Sequence, residues 1–207
     1  NRNTLPGIDL SPLEKKGYAP VNCQATRTEG GSGGNGIFIS SSPHTKAYNN
    51  LCYRNESAGI FAEWARRESG DVSDYGERKS VPVHMSTHDV DVRNNILVNN
   101  LSCQLSIRRN GVDEDTYGNQ SDYNLLYSSG GVPLVRWGFG GAAFSTVEKW
   151  QEASGFGKHS ISAAPVFERS PGMDLRLQPD SPGVDQGELL PDVPLDARGR
   201  KRPLGNG

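Results

Sequence analysis

Short alternating apolar stretches, broken by Gly and Asn, set the pattern of this chain. Ile37/Ile39 and Ile96/Val98 alternate with the period of two expected of strands. Apolar residues at three-and-four spacing are confined to two short segments. Glu63-Trp64-Ala65-Arg66-Arg67-Glu68 reads as a helical turn. Ser145 to Gln151 reads as a better one, with Ser145 capping its start, Glu148 completing a capping box and Gly155 near its end.

The strand-like segments repeat imperfectly. Asn22-Cys23-Gln24-Ala25 runs to Gly36-Ile37-Phe38-Ile39, and Asn50-Leu51-Cys52-Tyr53-Arg54-Asn55 runs to Gly59-Ile60-Phe61-Ala62. A third copy starts at Asn94-Asn95-Ile96-Leu97-Val98 and continues to Cys103-Gln104-Leu105-Ser106-Ile107, and a fourth begins at Asp122-Tyr123-Asn124-Leu125-Leu126-Tyr127. Cys23 to Cys52 is 29 residues, Asn50 to Asn95 is 45 and Asn95 to Asn124 is 29. Two regular steps therefore flank one long insertion, and a strand-built solenoid fits better than a helical repeat. Asn50, Asn95 and Asn124 read either as ordinary turn residues or as a stacked ladder of amides. Their alignment with the repeated strands favours the ladder. Cys23 and Cys52 read as small buried apolar groups stacked on adjacent turns, with a disulfide between them as the less favoured alternative.

Composition narrows the class. The chain has 207 residues, 34% apolar and 22% charged, and 25 glycines bring the apolar share into the globular range. A net charge of -2, from 22 basic and 24 acidic residues, gives no basic surface for nucleic acid or an anionic membrane. No apolar run is long enough to cross a bilayer as a helix, and Asn1 to Asp9 lacks the layout of a signal peptide. Asn1 at the start, with Met85 and Met173 the only methionines, suggests a piece of a larger chain. Asn55-Glu56-Ser57, Asn100-Leu101-Ser102 and Asn119-Gln120-Ser121 match the glycosylation acceptor pattern.

With these residues in view, the chain resembles the C-terminal part of right-handed parallel β-helix proteins, the pectate-lyase-like superfamily. The resemblance is carried by Asn94 to Asn100, Ser121 to Leu125 and above all the tail: Trp150-Gln151, Gly155, His159-Ser160-Ile161, Pro165-Val166-Phe167, Asp174-Leu175-Arg176-Leu177, Ser181 to Gly187, Asp196, Gly199 and Arg202-Pro203. It covers about residues 20 to 205. It implies an all-β fold: a parallel β-helix with few coils, one long inserted loop and a C-terminal cap. On this reading residues 1–207 form one domain, with 1–20 an N-terminal extension or edge cover, 21–140 the coils with the insertion at 63–93, and 141–207 a short helix and cap. Leu175, Leu177 and Val184 would lay an apolar strip over the open end of the stack. Missing N-terminal coils or self-association would cover the other end.

The insertion is the most chemically loaded part, and loops on a rigid scaffold are where sites usually sit. The resemblance implies carbohydrate chemistry in a groove along the coils and a secreted or extracellular location. The expected activity is binding and cleavage of a polysaccharide or oligosaccharide, by a lyase or a glycoside hydrolase. The alternative is a non-catalytic glycan-binding or surface-adhesion module. Hydrolysis needs two carboxylates flanking the bond, and elimination needs a base beside a uronate whose carboxylate a cation holds. The candidates for these roles are Glu63, His84, His88, Asp89 and Asp91. Trp64, Arg66, Arg93 and Trp137 are the candidates for holding the sugar. His84 and His88 are four apart, but Val81, Pro82 and Val83 make the segment extended, so no metal site is assigned to them. Asp89 and Asp91 alternate with Val90 and Val92, which predicts a strand with both carboxylates on one face. Calcium at that pair is the cofactor left open.

Overall fold

Each apolar stretch becomes a short strand, and the strands of successive passes of the chain pair side by side. A computed structural model describes residues 34–40, 42–63, 72–74, 77–79, 87–109, 118–168, 175–196 and 199–202. After β1 (Ile37–Ser40), the first full pass forms β2 (Lys46–Tyr48), β3 (Leu51–Tyr53) and β4 (Ala58–Glu63). The insertion carries an antiparallel hairpin, β5 (Val72–Asp74) with β6 (Glu77–Lys79). The second pass forms β7 (Asp91–Arg93), β8 (Ile96–Val98) and β9 (Cys103–Arg109). The third forms β10 (Gln120–Asp122), β11 (Leu125–Tyr127) and β12 (Val135–Phe139), followed by β13 (Ala142–Phe144) and α1 (Val147–Ser154). The sheets run β10-β7-β2, β11-β8-β3 and β1-β4-β9-β12-β13. All pairings in them are parallel except β12 with β13.

The register matches the spacing read from the sequence. Leu51 pairs with Ile96, 45 residues on, and Ile96 with Leu125, 29 residues on. Ile39, Ile60, Leu105 and Val135 from the five-stranded sheet, Val92 from β7 and Cys52, Leu97 and Leu126 from the β11-β8-β3 sheet meet in one buried core. Cys52 is fully buried in this core; Cys23 lies outside the described residues.

Corners between sheets are made by one left-handed residue each, and these corners line up. Asn49, Asn94 and Tyr123, at φ 57°, 57° and 54°, turn the chain from the β10-β7-β2 sheet into the next. The left-handed angle thus falls on the residue before each ladder asparagine, which frees Asn50, Asn95 and Asn124 to point their amides along the stack. Asn50 Nδ2 donates to Asn95 Oδ1 at 3.0 Å, and Asn95 Nδ2 donates to Asn124 Oδ1 at 2.9 Å. Backbone N–H groups of Asn50 and Asn95 donate to the same oxygens, and the Asn124 N–H donates to Ser160 Oγ. A second ladder follows β3 and β8: Asn55 donates to Asn100 at 2.7 Å, and Asn100 to Gln104 at 2.9 Å. The acceptor asparagines Asn55, Asn100 and Asn119 of the glycosylation pattern are all buried. Their place in the fold is internal.

The expected all-β class is corrected. Parallel sheets and one helix share the core, which makes the arrangement mixed α/β, and no closed solenoid is found among the described residues. The reason lies in α1. Val147 and Trp150, three residues apart on one helical face, are fully buried in the core cluster of the strands. Trp150 is so closely approached by Gly157, at φ 67°, that a Cβ there would collide with the indole. The helix starts one residue later than the capping box implied: Thr146 is the N-cap, accepting from the Lys149 N–H, and Gly155 closes the helix at φ 74°.

The tail is also placed differently. Phe167 bridges Leu177 in antiparallel fashion, Phe167 meets the Tyr53 ring at 6.0 Å, and Gly183 packs on Ile96, Leu125 and Leu177. Leu177 therefore helps cover the outer flank of the β11-β8-β3 sheet and not the end of the stack. The end is covered by β13 on β12 and by Ile161, which bridges Leu125. The chain divides into two compact units, 23–189 and a second made of 1–22 with 190–207. In the second unit Leu195 bridges Lys201, and Asp196 holds Arg200 through both side-chain and backbone contacts.

The inner ladder makes a quantitative demand. Replacing Asn95 with Ala strips partners from buried donors and acceptors on both sides and is expected to lower unfolding free energy by about 3 kcal/mol. The half-buried Asn50→Ala at the ladder's start should cost about 1 kcal/mol. Chemical denaturation measures both, and equal losses would show that the ladder does not set the register.

Candidate functional site

Stacking in register turns single residues into rows, and two outward sheet faces carry chemistry. On the β10-β7-β2 sheet, Lys46, Asp91 and Gln120 form one row, and Tyr48, Arg93 and Asp122 the next. Asp91 accepts from the Tyr48 hydroxyl at 2.6 Å on one oxygen and from Arg93 Nε at 2.7 Å on the other. Arg93 also donates to Glu188 at 2.8 Å and to Gln120 at 2.8 Å. Burial works against the guanidinium charge, but the hydrogen bonds and charges of Asp91 and Glu188 more than offset it and hold its pKa above the ordinary value. With both oxygens engaged, Asp91 anchors this network, and Arg93 is its centre. Asp122 closes the sheet's other side: it accepts from the backbone N–H groups of Tyr123 and His159 and pairs with His159 Nδ1 at 2.8 Å, with Tyr123 stacked on that imidazole.

His88 and Asp89 lie at the other end of this face. Asp89 does not share a strand face with Asp91, as the alternation suggested. The strand begins at Asp91, and Asp89 sits just before it at φ 51°. There its Oδ2 lies 2.8 Å from His88 Nδ1 and 3.4 Å from His44 Nδ1. His44 was not singled out by sequence, although it stands 45 residues before Asp89, the same step that links Asn50 to Asn95. Two imidazoles and one carboxylate give mixed nitrogen and oxygen donors, whereas calcium takes six to eight oxygens.

The five-stranded sheet carries the second face. Phe38, Phe61, Ser106 and Arg136 stand in one row, and Ser40 and Glu63 pair in the next, two positions along. The Phe38 and Phe61 rings lie 5.5 Å apart, and the Arg108 guanidinium sits 5.0 Å from the Phe61 centroid. Phe38 is 50% exposed, a large apolar ring left facing water on a sheet surface. Ser40 Oγ donates to Glu63 at 3.4 Å. Deeper in the row, Ser106 Oγ and Arg136 Nε are buried without a hydrogen-bond partner among the described residues. Burial pushes the Cys103 thiol up from its ordinary pKa, with Arg136 and Arg108 acting against that shift, so it is an inert thiol beside the face.

The nine residues singled out from the sequence are thus not one groove. Glu63 stands on the five-stranded sheet, while His88, Asp89, Asp91 and Arg93 belong to the three-stranded sheet and its approach. Trp64, Arg66 and His84 lie outside the described residues. Trp137 is not a loop residue offering a free ring. It belongs to β12 and packs against Trp150 at 5.4 Å and Phe156 at 4.8 Å. Phe38 and Phe61 have no local signal for this face, because an aromatic in a strand reads as core until the register shows which side it takes; Arg108 and Arg136 join them only through the pairing of β9 and β12.

No protein-family model matches the chain, and no curated protein or solved structure matches it either.

The Arg93 network should behave as a structural clamp. Arg93→Met leaves Asp91 and Glu188 without their shared cation. It is expected to cost about 1 to 2 kcal/mol at low salt, less in high salt because the group is partly exposed. Urea melts at two ionic strengths measure this, and a salt-independent loss would assign the effect to packing of the side-chain stem.

Proposed function

We propose that the chain binds an acidic polysaccharide along the outward face of the five-stranded sheet. The observation that carries this reading is the Phe38–Phe61 pair, with Phe38 exposed and Phe61 half-buried, and the Arg108 guanidinium against it. A uronate ring offers an apolar C–H face and a carboxylate, and this surface offers the complements: aromatic planes for the first and a guanidinium for the second. Such a ligand fits a chain that works outside the cytoplasm.

Cleavage by β-elimination is a second reading, favoured by Glu63 two positions along β4 from Phe61. Glu63 would take the proton beside a uronate carboxyl held by Arg108. The electron pair left behind would form the double bond, and the departing glycosidic oxygen would take a proton from water. Hydrolysis needs a second carboxylate across the bond, and Glu63 is the only acid on this face among the described residues.

Affinity for polygalacturonate, measured by calorimetry with dextran as the neutral control, tests the binding. Phe38→Ala and Phe61→Ala are each expected to lower affinity about tenfold, or ~1.4 kcal/mol. Arg108→Gln should erase the preference for the charged polymer. Equal binding of both polymers, or none by the folded chain, overturns the proposal. Mass spectrometry of products decides the second reading: unsaturated oligosaccharides lost in Glu63→Gln support elimination, and intact polymer leaves a binding module.

A further inference from the structure

We propose that His44, His88 and Asp89 form a binding site for one divalent transition-metal ion of the zinc class. The donor atoms of all three lie within 4.8 Å of one another. His44 Nδ1 and Asp89 Oδ2 are 3.4 Å apart, the separation that tetrahedral bonds of about 2.0 to 2.1 Å impose on two ligands. His88 Nδ1, at 2.8 Å from the same oxygen, needs to move by about half an ångström to fit that geometry. The two imidazole rings meet edge to face, 5.0 Å between centroids at 84°, so both nitrogens can turn to a common point without ring clash.

The backbone holds this arrangement at some cost. His44 and Asp89 both adopt left-handed angles, φ 56° and 51°, which non-glycine residues seldom do. They are fixed there by register, with the His44 N–H donating to His88 O at 2.9 Å and the Asp91 N–H to Thr45 O at 2.9 Å. In the third layer the corresponding left-handed position is Gly118, at φ 70°, and a Cβ on it would overlap the Asp89 carboxylate. Glycine there leaves the carboxylate its place between the imidazoles.

The donor set selects the metal. Two neutral imidazoles with one carboxylate suit zinc and its first-row neighbours, not calcium or magnesium. Three protein ligands leave at least one coordination position for water or a ligand oxygen, as in open and not structural zinc sites. His44 is the exposed side of the cluster at 71%, against 17% for His88, so an ion has a path in from solvent. The site lies on a different sheet from the proposed polysaccharide face and stands or falls separately from it.

The test is zinc binding to the tag-free full chain after chelator stripping, by competition with a chromophoric chelator. One ion per chain is expected, with His44→Ala and Asp89→Asn each weakening binding more than about tenfold, and His159→Ala, a paired histidine elsewhere on the surface, leaving it unchanged. Asparagine tolerates the left-handed angle of Asp89, so the second variant keeps the corner. Cobalt in place of zinc should give a visible ligand-field band that His44→Ala loses while its melting curve stays the same. No uptake by the wild-type chain, or equal affinity and an unchanged cobalt band in His44→Ala, overturns the site.

Discussion

Buried amides must be bonded, and in this chain that requirement is met by asparagines that bond each other. At each of the three corners into the β11-β8-β3 sheet a left-handed residue bends the backbone and the next side chain is an amide bonded to the amide of a neighbouring layer, with the middle one, Asn95, bonded to both. An amide in such a row has a partner above and below only if the layers are in register. A slip of one residue would break every rung and turn each strand's core side chains outward. Loop length does not enter this condition. The passes separated by 45 and by 29 residues carry the same ladder, because closing a longer loop costs only about 0.6 kcal/mol per doubling of length.

Register then decides what chemistry can gather on the surface. Residues far apart in sequence are brought to adjacent strands about 4.8 Å apart, so one favourable side chain becomes a row. Phe38 and Phe61 meet in this way on β1 and β4. His44 and Asp89 lie just ahead of β2 and β7, in turns that the pairing of those two strands brings side by side.

The ladder, the strand spacing and the short helix after β13 were legible in the sequence, because each rests on local residue types at a fixed interval. Legibility ended where a partner was distant or a face ambiguous. Glu188, 95 residues beyond Arg93, has no local signal, yet it completes the clamp that fixes Asp91. The alternation of Val90 and Val92 predicts a strand that includes Asp89. The corner that moves it off the strand shows only in the backbone angle. His44 was within reach of the same 45-residue step that revealed the asparagines. It sits between Pro43 and Thr45, away from the charged insertion, with no local pattern that marks it. The short helix is legible from its capping residues, and its two buried positions at three-residue spacing, Val147 and Trp150, bring it into the core and change the class of the fold.

Satisfied groups also limit where reactivity can lie. In the middle of the β10-β7-β2 face every strong group is already bonded: Asp91 by Tyr48 and Arg93, Arg93 by two carboxylates and an amide, and Asp122 by the chain after α1. A ligand binding there would have to replace those contacts, and replacing hydrogen bonds to charged groups gains little because each exchanged bond is worth about as much as the one lost. At the edge of the same face the balance differs. Two imidazoles converge on a single carboxylate oxygen, and a cation placed among the three would meet all of them at once. The strongly charged centre is therefore structure, and the sparser edge is where binding has most to gain.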